Sequence, residues 1–234
     1  MRKKKILWKM NNMRGKYFLQ RLKNPKWFYS IFESVKPLSK LYGKDRGKPV
    51  DRYYIEKFLE QNKKCITGKC LENEDNRYTK KYGFNVSQSD ILDTNINNSK
   101  ANIHGDIRNL TLIPDNNYDC IILTQVLQFI DDYPSALKEC ERILKTGGTL
   151  HITVPAMSRI DVRSGADGDF WRFTQSGIRY ALENYFHKEY IKVLSLGNCF
   201  SGYAFWIGLS LNDISEKKLE YYDHDFPVII GASA

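Results

Sequence analysis

Three acidic residues stand where short apolar runs of the sequence end, and together they indicate a nucleoside-containing ligand. Glu72 follows the run 69–71, Asp90 comes after a second run, and Asp106 comes after a third. A carboxylate at the second position could hold both hydroxyls of a ribose, and one at the third could accept a hydrogen bond from an adenine amino group. Acids also cap helices, so each residue alone is a weak signal. The three in register predict a nucleoside-binding edge.

Apolar runs alternate with amphipathic segments from about residue 65 onward. Cys120–Thr124 is a continuous apolar run, which is typical of a parallel strand buried on both faces. Pro134 opens an amphipathic helix, and Leu150–Val154 follows as a strand. The other predicted strands are 69–71, 83–87, 101–104, 191–196 and 227–231. A helix is predicted over Asn24–Val35, and Asp51 and Thr174 could cap two further helices. This alternation predicts a doubly wound α/β sheet with helices on both faces, in which a ligand binds beyond the carboxyl ends of the strands.

Two stretches carry a resemblance to a known family. Ile113–Ile130 resembles the fourth-strand region of class I S-adenosylmethionine-dependent methyltransferases, and Ala136–Leu150 resembles the helix and glycine turn that lead into their fifth strand. A narrower resemblance runs from about residue 38 to the end of the sequence. Its segments 45–56, 168–174 and 225–230 are similar to bacterial methyltransferase-like proteins associated with glycosyltransferases and surface-polysaccharide synthesis.

The resemblance implies a Rossmann-like sheet of seven strands, of which the last, near Val228, runs antiparallel. It also implies S-adenosylmethionine as the cofactor, with binding roles for eight residues. These are Glu72 and the loop residues Glu74 and Asp75 at the methionine part, Asp90 at the ribose, Asp106 and Ile107 at the adenine, and Thr124 and Gln125 beneath the transferable methyl group.

The loop after the first predicted strand departs from the family pattern. The usual motif is rich in glycine, which allows positive φ and a close approach to the cofactor, whereas Leu71–Tyr78 contains no glycine. Asn73, Asp75 and Asn76 tolerate the left-handed conformation better than most residues, so the turn could still form. Two hypotheses follow: an active methyltransferase, or a methyltransferase fold that no longer catalyses and serves as a binding or scaffold module beside glycosyltransferases.

A second group of residues is expected on the acceptor side, where a hydroxyl of a sugar or glycan would be methylated. A general base helps a hydroxyl acceptor, and Asp169 is the first candidate, with His151 second. Trp171 and Tyr53 could stack on a sugar ring, while Arg172 and Arg52 could hold a phosphate or carboxylate of the substrate. The alternative is that segment 171–173 only packs a loop against the sheet and pairs with Asp169.

Positive charge is concentrated at the start of the sequence. Residues 1–48 carry 15 of the 36 basic residues but only two of the 27 acidic ones, Glu33 and Asp45. We therefore divide the chain into a basic helical extension, 1–48, and a methyltransferase-like domain, 49–234. The extension could bind an anionic membrane surface or nucleic acid, or it could be a solvated helix. A nucleic-acid methyltransferase ranks last, because the sequence has no Asn-Pro-Pro-Tyr motif.

The cysteines and the apolar segments indicate the compartment. Five cysteines without a Cys-x-x-Cys pair do not fit a disulfide framework or a structural zinc site, so we expect reduced thiols and no metal. No apolar run approaches the roughly 20 residues that span a bilayer, and the first residues are too polar for a secretory signal. We expect a cytoplasmic protein, located at the inner face of the membrane if the extension binds lipid.

Overall fold

The computed structural model describes residues 35–161 and 167–234. Contacts between residues divide the chain into two compact units, Met1–Pro37 and Leu38–Ala234. The second unit therefore begins earlier than the boundary expected from charge. The predicted helix Asn24–Val35 falls, apart from Val35 itself, outside the described residues.

Seven strands form one mixed sheet in the order β3-β2-β1-β4-β5-β7-β6. All neighbours pair in parallel except β7, which is antiparallel to both β5 and β6. The predicted sheet with an antiparallel last strand is confirmed. The strands are β1 Gly68–Asn73, β2 Val86–Asp93, β3 Ile103–His104, β4 Tyr118–Thr124, β5 Leu144–Pro155, β6 Lys192–Leu196 and β7 Ile229–Ser233.

Five α-helices cover the two faces of the sheet in the described ranges. They are α1 Val50–Gln61, α2 Arg77–Tyr82, α3 Tyr133–Ile143, α4 Gln175–Glu183 and α5 Cys199–Ile207. The apolar sides of α3 and α4 belong to one buried cluster, and those of α1, α2 and α5 belong to a second. The sheet is therefore doubly wound, as predicted. None of these described helices is long and apolar enough to cross a bilayer.

Local sequence signals explain where most helices begin. The Thr174 hydroxyl accepts a hydrogen bond from the backbone N–H of Gly177, which confirms the predicted cap of α4. At α5, Asn198 and Ser201 bond each other's backbone N–H groups, which is a capping box that the sequence reading missed. Asp51 is buried in the first turn of α1, whose preceding residue is Pro49, so its expected role as the N-cap is wrong.

Strand β2 begins and ends later in the sequence than predicted, so the acidic residue at its carboxyl end is not the predicted one. The run 83–87 was expected to form the strand, but only its last residues belong to Val86–Asp93. Residues 87–89 are polar, and Ser87 and Gln88 are exposed while Ser89 is half-buried, because the amino-terminal half of the strand has little core to cover. Asp90 therefore lies within β2 and not after it, and Glu72 lies within β1. Both expectations that these acids follow their strands are wrong.

Candidate functional site

A cleft of about 730 Å³ opens at the carboxyl ends of β1 and β4. Its volume lies within the roughly 300–1,000 Å³ typical of small-molecule sites. Of the predicted site residues, the cleft brings together Arg52, Glu72, Glu74, Asp75, Thr124, Gln125 and Asp169. The location agrees with the rule that ligands bind beyond the carboxyl ends of parallel strands.

Glu72 forms the base of the cleft near the end of β1. Its buried carboxylate accepts hydrogen bonds from the backbone N–H groups of Tyr78, at 3.1 Å, and Thr79, at 2.8 Å, and from the Thr79 hydroxyl at 2.8 Å. Burial raises the pKa of Glu72 to about 7, although these hydrogen bonds favour its ionised form. Glu72 thus ties the start of α2 to β1 and fixes the ends of the loop between them.

The loop closes without glycine because Glu74 takes the left-handed conformation, with φ of 66°. Asn73, Asp75 and Asn76, which tolerate this conformation better than most residues, do not adopt it. The Glu74 N–H donates to the carbonyl of Leu92 at 2.9 Å, so the turn is held by the neighbouring strand β2. Left-handed backbone costs a non-glycine residue about 1–2 kcal/mol. The turn that glycines usually form is therefore present, at a cost in strain.

Asp75 is committed to a neighbour within the loop. Its carboxylate accepts two hydrogen bonds from the Arg77 guanidinium and one, at 3.0 Å, from the Arg77 backbone N–H. The bonds to the guanidinium lower the pKa of Asp75 below its usual value. Of the two predicted loop carboxylates, Glu74 is the one without such an ion pair in the described part of the chain.

Asp93, which the sequence reading missed, stands at the end of β2. It lines a second cavity of about 420 Å³ together with Glu74 and Asp75, which also line the main cleft. The Asp93 carboxylate accepts from the Asn95 N–H at 2.8 Å and from Asn98 Nδ2 at 2.7 Å. It therefore occupies the strand-end position that was assigned to Asp90. The apolar residues 91 and 92, directly before Asp93, were the sequence signal for the end of this strand. The polar residues at the start of β2 made the strand hard to recognise.

Asp90 is buried between strands. Its carboxylate accepts hydrogen bonds from Gln88, from Asn102 at 2.8 Å and from the Tyr118 hydroxyl at 2.9 Å, and Lys69 Nζ lies 3.8 Å away. Burial alone would raise the pKa of Asp90, but these hydrogen bonds hold it below its usual value. Because the carboxylate is saturated inside the protein, Asp90 supports the sheet and does not line the cavities described above.

Asp106 follows β3, as predicted, but it is held by Arg108. The Arg108 guanidinium bonds both Asp106 oxygens and also reaches Asp131 at 2.6 Å, and these bonds lower the pKa of Asp106. The neighbouring Ile107 is buried in the core. An adenine amino group at Asp106 would have to share the carboxylate with Arg108, and this role stays a prediction.

Thr124 ends β4, Gln125 follows it, and both line the cleft; their role beneath the transferable methyl group stays a prediction. Gln125 has a φ of 58°, and its N–H donates to the Thr153 carbonyl at 2.8 Å, which turns the chain sharply away from the sheet. Three residues further on, the buried Oε1 of Gln128 has no hydrogen-bond partner in the described part of the chain. An unpaired buried acceptor on the wall of a cleft is a site for a ligand donor.

Asp169 lies in the cleft, but it is the partner of Arg172. The two side chains form a bidentate ion pair at 2.6 and 2.9 Å, and Arg172 also donates to the carbonyls of Ser158 and Arg159. Burial would raise the pKa of Asp169, but the bonds from Arg172 keep it below its usual value. The alternative role of segment 171–173, which is to pack a loop against the sheet and pair with Asp169, fits the observed ion pair. An ion-paired carboxylate is a weak base, and a guanidinium bonded in this way has little capacity for substrate.

Three further candidates lie away from the cleft among the described residues. His151 is buried in the middle of β5 with Nδ1 2.9 Å from the Ser233 hydroxyl, and burial lowers its pKa to about 4. Trp171 donates its indole N–H to the Ile130 carbonyl at 2.8 Å, and Tyr53 is buried in the core on the inner side of α1. A buried strand histidine and two aromatic rings of this kind stabilise the fold, so the geometry does not support their predicted contacts with substrate.

The opposite wall of the cleft contains residues that the sequence did not indicate. Tyr42 stacks on Phe205 with ring centroids 5.6 Å apart, and the Arg159 guanidinium carbon lies 3.8 Å from the Tyr42 ring centroid. Burial, followed by the charge of Asp161, raises the pKa of Tyr42 to about 12. Tyr42 falls within the stretch 1–48 that was assigned to the basic extension, and its partners come from distant parts of the chain.

A third cavity, of about 770 Å³, lies between the ends of β5 and β6 and helix α5. Aromatic and apolar side chains line most of it, among them Phe173, Trp206 and Phe226. None of the predicted site residues lines it in the described part of the chain. Although this cavity is slightly larger, the acidic and amide groups that could bind a nucleoside surround the other two, and we take those as the candidate site.

Comparison with known proteins agrees with this geometry. Residues 65–152 match the sequence profile of a family described as "Methyltransferase domain". That range covers β1 to most of β5. No protein of curated function matches the chain by sequence.

Several solved structures share the fold. An S-adenosylmethionine-dependent methyltransferase from Archaeoglobus fulgidus is 14% identical, with a TM-score of 0.53 over 88% of this chain and 99% of the other. A Thermotoga maritima S-adenosylmethionine-dependent methyltransferase, titled as a possible histamine N-methyltransferase, is 17% identical, with a TM-score of 0.50 over 78% and 92%. The [4+2]-cyclase SpnF is 14% identical, with a TM-score of 0.50 over 77% and 80%. Identities this low establish the fold alone.

Proposed function

We propose that this protein is an S-adenosylmethionine-dependent methyltransferase that methylates a hydroxyl of a sugar or glycan intermediate in surface-polysaccharide synthesis. The observation that carries the first part is the pair of cavities joined by residues 74 and 75 at the carboxyl edge of the sheet. The methyltransferase profile across residues 65–152 supports the same conclusion. The acceptor class rests on the resemblance of the segments 45–56, 168–174 and 225–230.

The residues around the two cavities fit this cofactor. Asp93 presents a carboxylate, which suits the two hydroxyls of a ribose, and Glu74 presents another, which suits an α-amino group. Gln128 offers its unpaired Oε1 to a donor. Arg52 lies beside the β1 loop, with Nη1 3.0 Å from the Tyr78 hydroxyl, and is suited to the carboxylate of the methionine part. When bound, the cofactor supplies an electrophilic methyl group on a sulfonium.

The chain's own contribution is mainly to orient two ligands and to exclude water. Asp169, the predicted general base, is held in its ionised form by Arg172 and has little affinity for a proton. Proximity and alignment alone can supply a large part of a barrier reduction, on the order of 7–11 kcal/mol in favourable cases. We therefore assign Asp169 and Arg172 to the support of the cleft wall. The acceptor oxygen forms its bond to the methyl group as the methyl–sulfur bond breaks, and its proton passes to solvent late in the transfer.

Calorimetric titration of the full chain with S-adenosylhomocysteine tests the proposal directly. We expect saturable binding that Asp93→Ala weakens about tenfold or more, because a charge-assisted hydrogen bond is worth roughly 1.5–3 kcal/mol. Glu189→Gln, which removes one exposed carboxylate, is the matched control and should bind like the wild type. Asp106→Ala should weaken binding only if the adenine role is real. Absence of binding at millimolar ligand would contradict the proposal.

A second candidate function is a non-catalytic binding module beside glycosyltransferases. The strained Glu74 turn and the Asp75–Arg77 ion pair stand where the family usually has glycine, and these two features favour it. A protein titled as a cyclase shares the fold, so the fold by itself does not specify methyl transfer. The two candidates differ in the titration above: a scaffold binds a glycosyltransferase but not S-adenosylhomocysteine.

A further inference from the structure

Arg159 is the one arginine of the cleft without an acid or phenol as a hydrogen-bond partner in the described ranges. Arg52 bonds the Tyr78 hydroxyl, and Arg77 bonds Asp75. Arg159 donates only to the Ile160 carbonyl, from Nη1 at 2.8 Å, and its buried Nε has no partner. A guanidinium has five N–H donors, and an unpaired buried one is costly unless a ligand bonds it.

The Arg159 side chain is also held in place before any ligand arrives. Its guanidinium lies over the Tyr42 ring, whose other contact is the stacked ring of Phe205. Stacking of this kind keeps the planar group flat on the ring and leaves its N–H edges available. Because the side chain has already lost part of its freedom, an oxyanion that bonds it loses less entropy in binding.

The acidic residues nearby do not cancel this positive charge. Asp169 is neutralised by its bidentate pair with Arg172. Asp161 is only 3% exposed and is engaged in interactions of its own. Beside Tyr42, an anion would therefore meet the Arg159 guanidinium, because these two neighbouring carboxylates are already engaged.

The position of Arg159 assigns it to the acceptor and not to the cofactor. It follows the end of β5, whereas Glu74 and Asp93 lie after β1 and at the end of β2. In the sheet, β4 separates β1 and β2 from β5. Arg159 therefore lies on the β5 side of the main cleft, whereas Glu74 lies on its β1 side and Asp93 lines the second cavity.

We propose that the acceptor carries an oxyanion, and that Arg159 binds it in the cleft beside Tyr42. This inference rests on the proposed function and specifies its substrate class: an acidic sugar or a sugar phosphate in place of a neutral sugar. Carboxylate and phosphate groups both offer a pair of oxygens that one guanidinium can bond with two N–H groups at once. Arg159 is thus a specificity-determining residue for the acceptor.

The test uses the full chain, with and without S-adenosylhomocysteine, titrated with glucuronate, glucose 1-phosphate, inorganic phosphate and glucose. We expect the wild type to bind glucuronate or glucose 1-phosphate at least tenfold more tightly than glucose. Tighter binding of glucuronate identifies a carboxylate, and tighter binding of glucose 1-phosphate identifies a phosphate. If inorganic phosphate binds as tightly as glucose 1-phosphate, the site binds the anion without recognising the sugar. That result would overturn the assignment of Arg159 to the acceptor.

Arg159→Gln should weaken binding of the preferred anion about tenfold to a hundredfold while leaving that of glucose unchanged. Arg159→Lys keeps the charge but not the paired geometry, so it should fall between the two. Lys192→Gln, which removes one exposed charge from β6, is the control for long-range electrostatics. Unchanged S-adenosylhomocysteine affinity in Arg159→Gln shows that the cleft is intact.

Two results separate this inference from the proposed function. S-adenosylhomocysteine binding with equal affinity for glucose and the anions overturns the inference and leaves the methyltransferase standing. Anion binding that depends on Arg159 without S-adenosylhomocysteine binding supports the anion site and contradicts the methyltransferase. If the variants unfold, the wild-type preference for anion over glucose still decides, and its absence overturns the inference.

Discussion

The side-chain nitrogen of Asn98 lies 2.7 Å from Oδ2 of Asp93. The same nitrogen donates to the Glu74 carbonyl at 2.7 Å, so one amide connects the β1 loop to the end of β2. We expect Asn98→Ala to weaken S-adenosylhomocysteine binding about tenfold, because both groups lose their alignment. Calorimetric titration measures the change. Asn97→Ala, at an exposed neighbour, is the control, and equal losses in the two variants would show that Asn98 has no special role.

Replacing Glu74 by glycine should stabilise the protein, because glycine adopts the left-handed backbone conformation without a steric penalty. Glu74→Gly removes a left-handed non-glycine residue, and we expect the free energy of unfolding to rise by about 1 kcal/mol. Urea denaturation measures this. Glu74→Ala removes the same carboxylate but keeps the side-chain clash, so it should bring no such gain. A gain in both variants would assign the effect to charge and not to backbone strain.

The pH dependence of stability contains two opposing contributions. Burial raises the pKa of Glu72 to about 7, so the folded state holds an extra proton there between about pH 4.5 and 7, and stability falls as pH rises through that range. Burial lowers the pKa of His151 to about 4, so the unfolded state holds the extra proton up to about pH 6.5, and stability rises. In the wild type these two slopes largely cancel between about pH 4.5 and 6.5.

Glu72→Gln should reveal the histidine contribution alone. In that variant the free energy of unfolding should increase with pH by up to roughly 1.4 kcal/mol per unit between pH 5 and 6.5. Urea denaturation at three pH values in this range measures the slope, and the difference from the wild type removes the effect of other groups. A variant that follows the wild-type profile would show that Glu72 titrates at its ordinary pKa.

The basic extension is predicted to bind anionic membranes. Deleting residues 1–23 removes nine of its 15 basic residues. Each basic residue near an anionic surface contributes on the order of 1 kcal/mol, within a Debye length of about 8 Å at physiological salt. We expect the full chain to sediment with anionic liposomes at low salt, and the truncated chain to bind S-adenosylhomocysteine normally but to remain in the supernatant. Neutral liposomes are the control, and a full chain that ignores anionic liposomes contradicts the membrane role.

The parts of the fold that the sequence predicted are those in which local pattern and burial agree. Cys120–Thr124 is buried on both faces, so its continuous apolar run identified β4. Thr174 both breaks the apolar pattern and caps α4, and the start of that helix was predicted correctly. The prediction of strand β2 failed because its first half is polar and partly exposed, and Asp93 in place of Asp90 stands at the end of the strand.

The site was less predictable because tertiary contacts decide which charges are free. Asp169 and Arg172 are attractive candidates for chemistry in the sequence, yet they satisfy each other. Arg159 carries no motif, and only the fold leaves its Nε unpaired beside the cleft. Residue type indicates which interactions a side chain could make. The partners that the side chain already has in the fold determine which of those interactions remain available to a ligand.

The position of β7 between β5 and β6 affects how the protein is made. Among the described strands, β6 pairs only with β7. Strand β7, residues 229–233, comes after all the other described strands in the sequence. During synthesis, β6 therefore emerges from the ribosome with both edges unpaired and stays so until β7 has emerged too. Unpaired strand edges favour aggregation. Nascent chains whose synthesis has passed residue 196 but has not yet reached residue 229 should therefore depend most on chaperones.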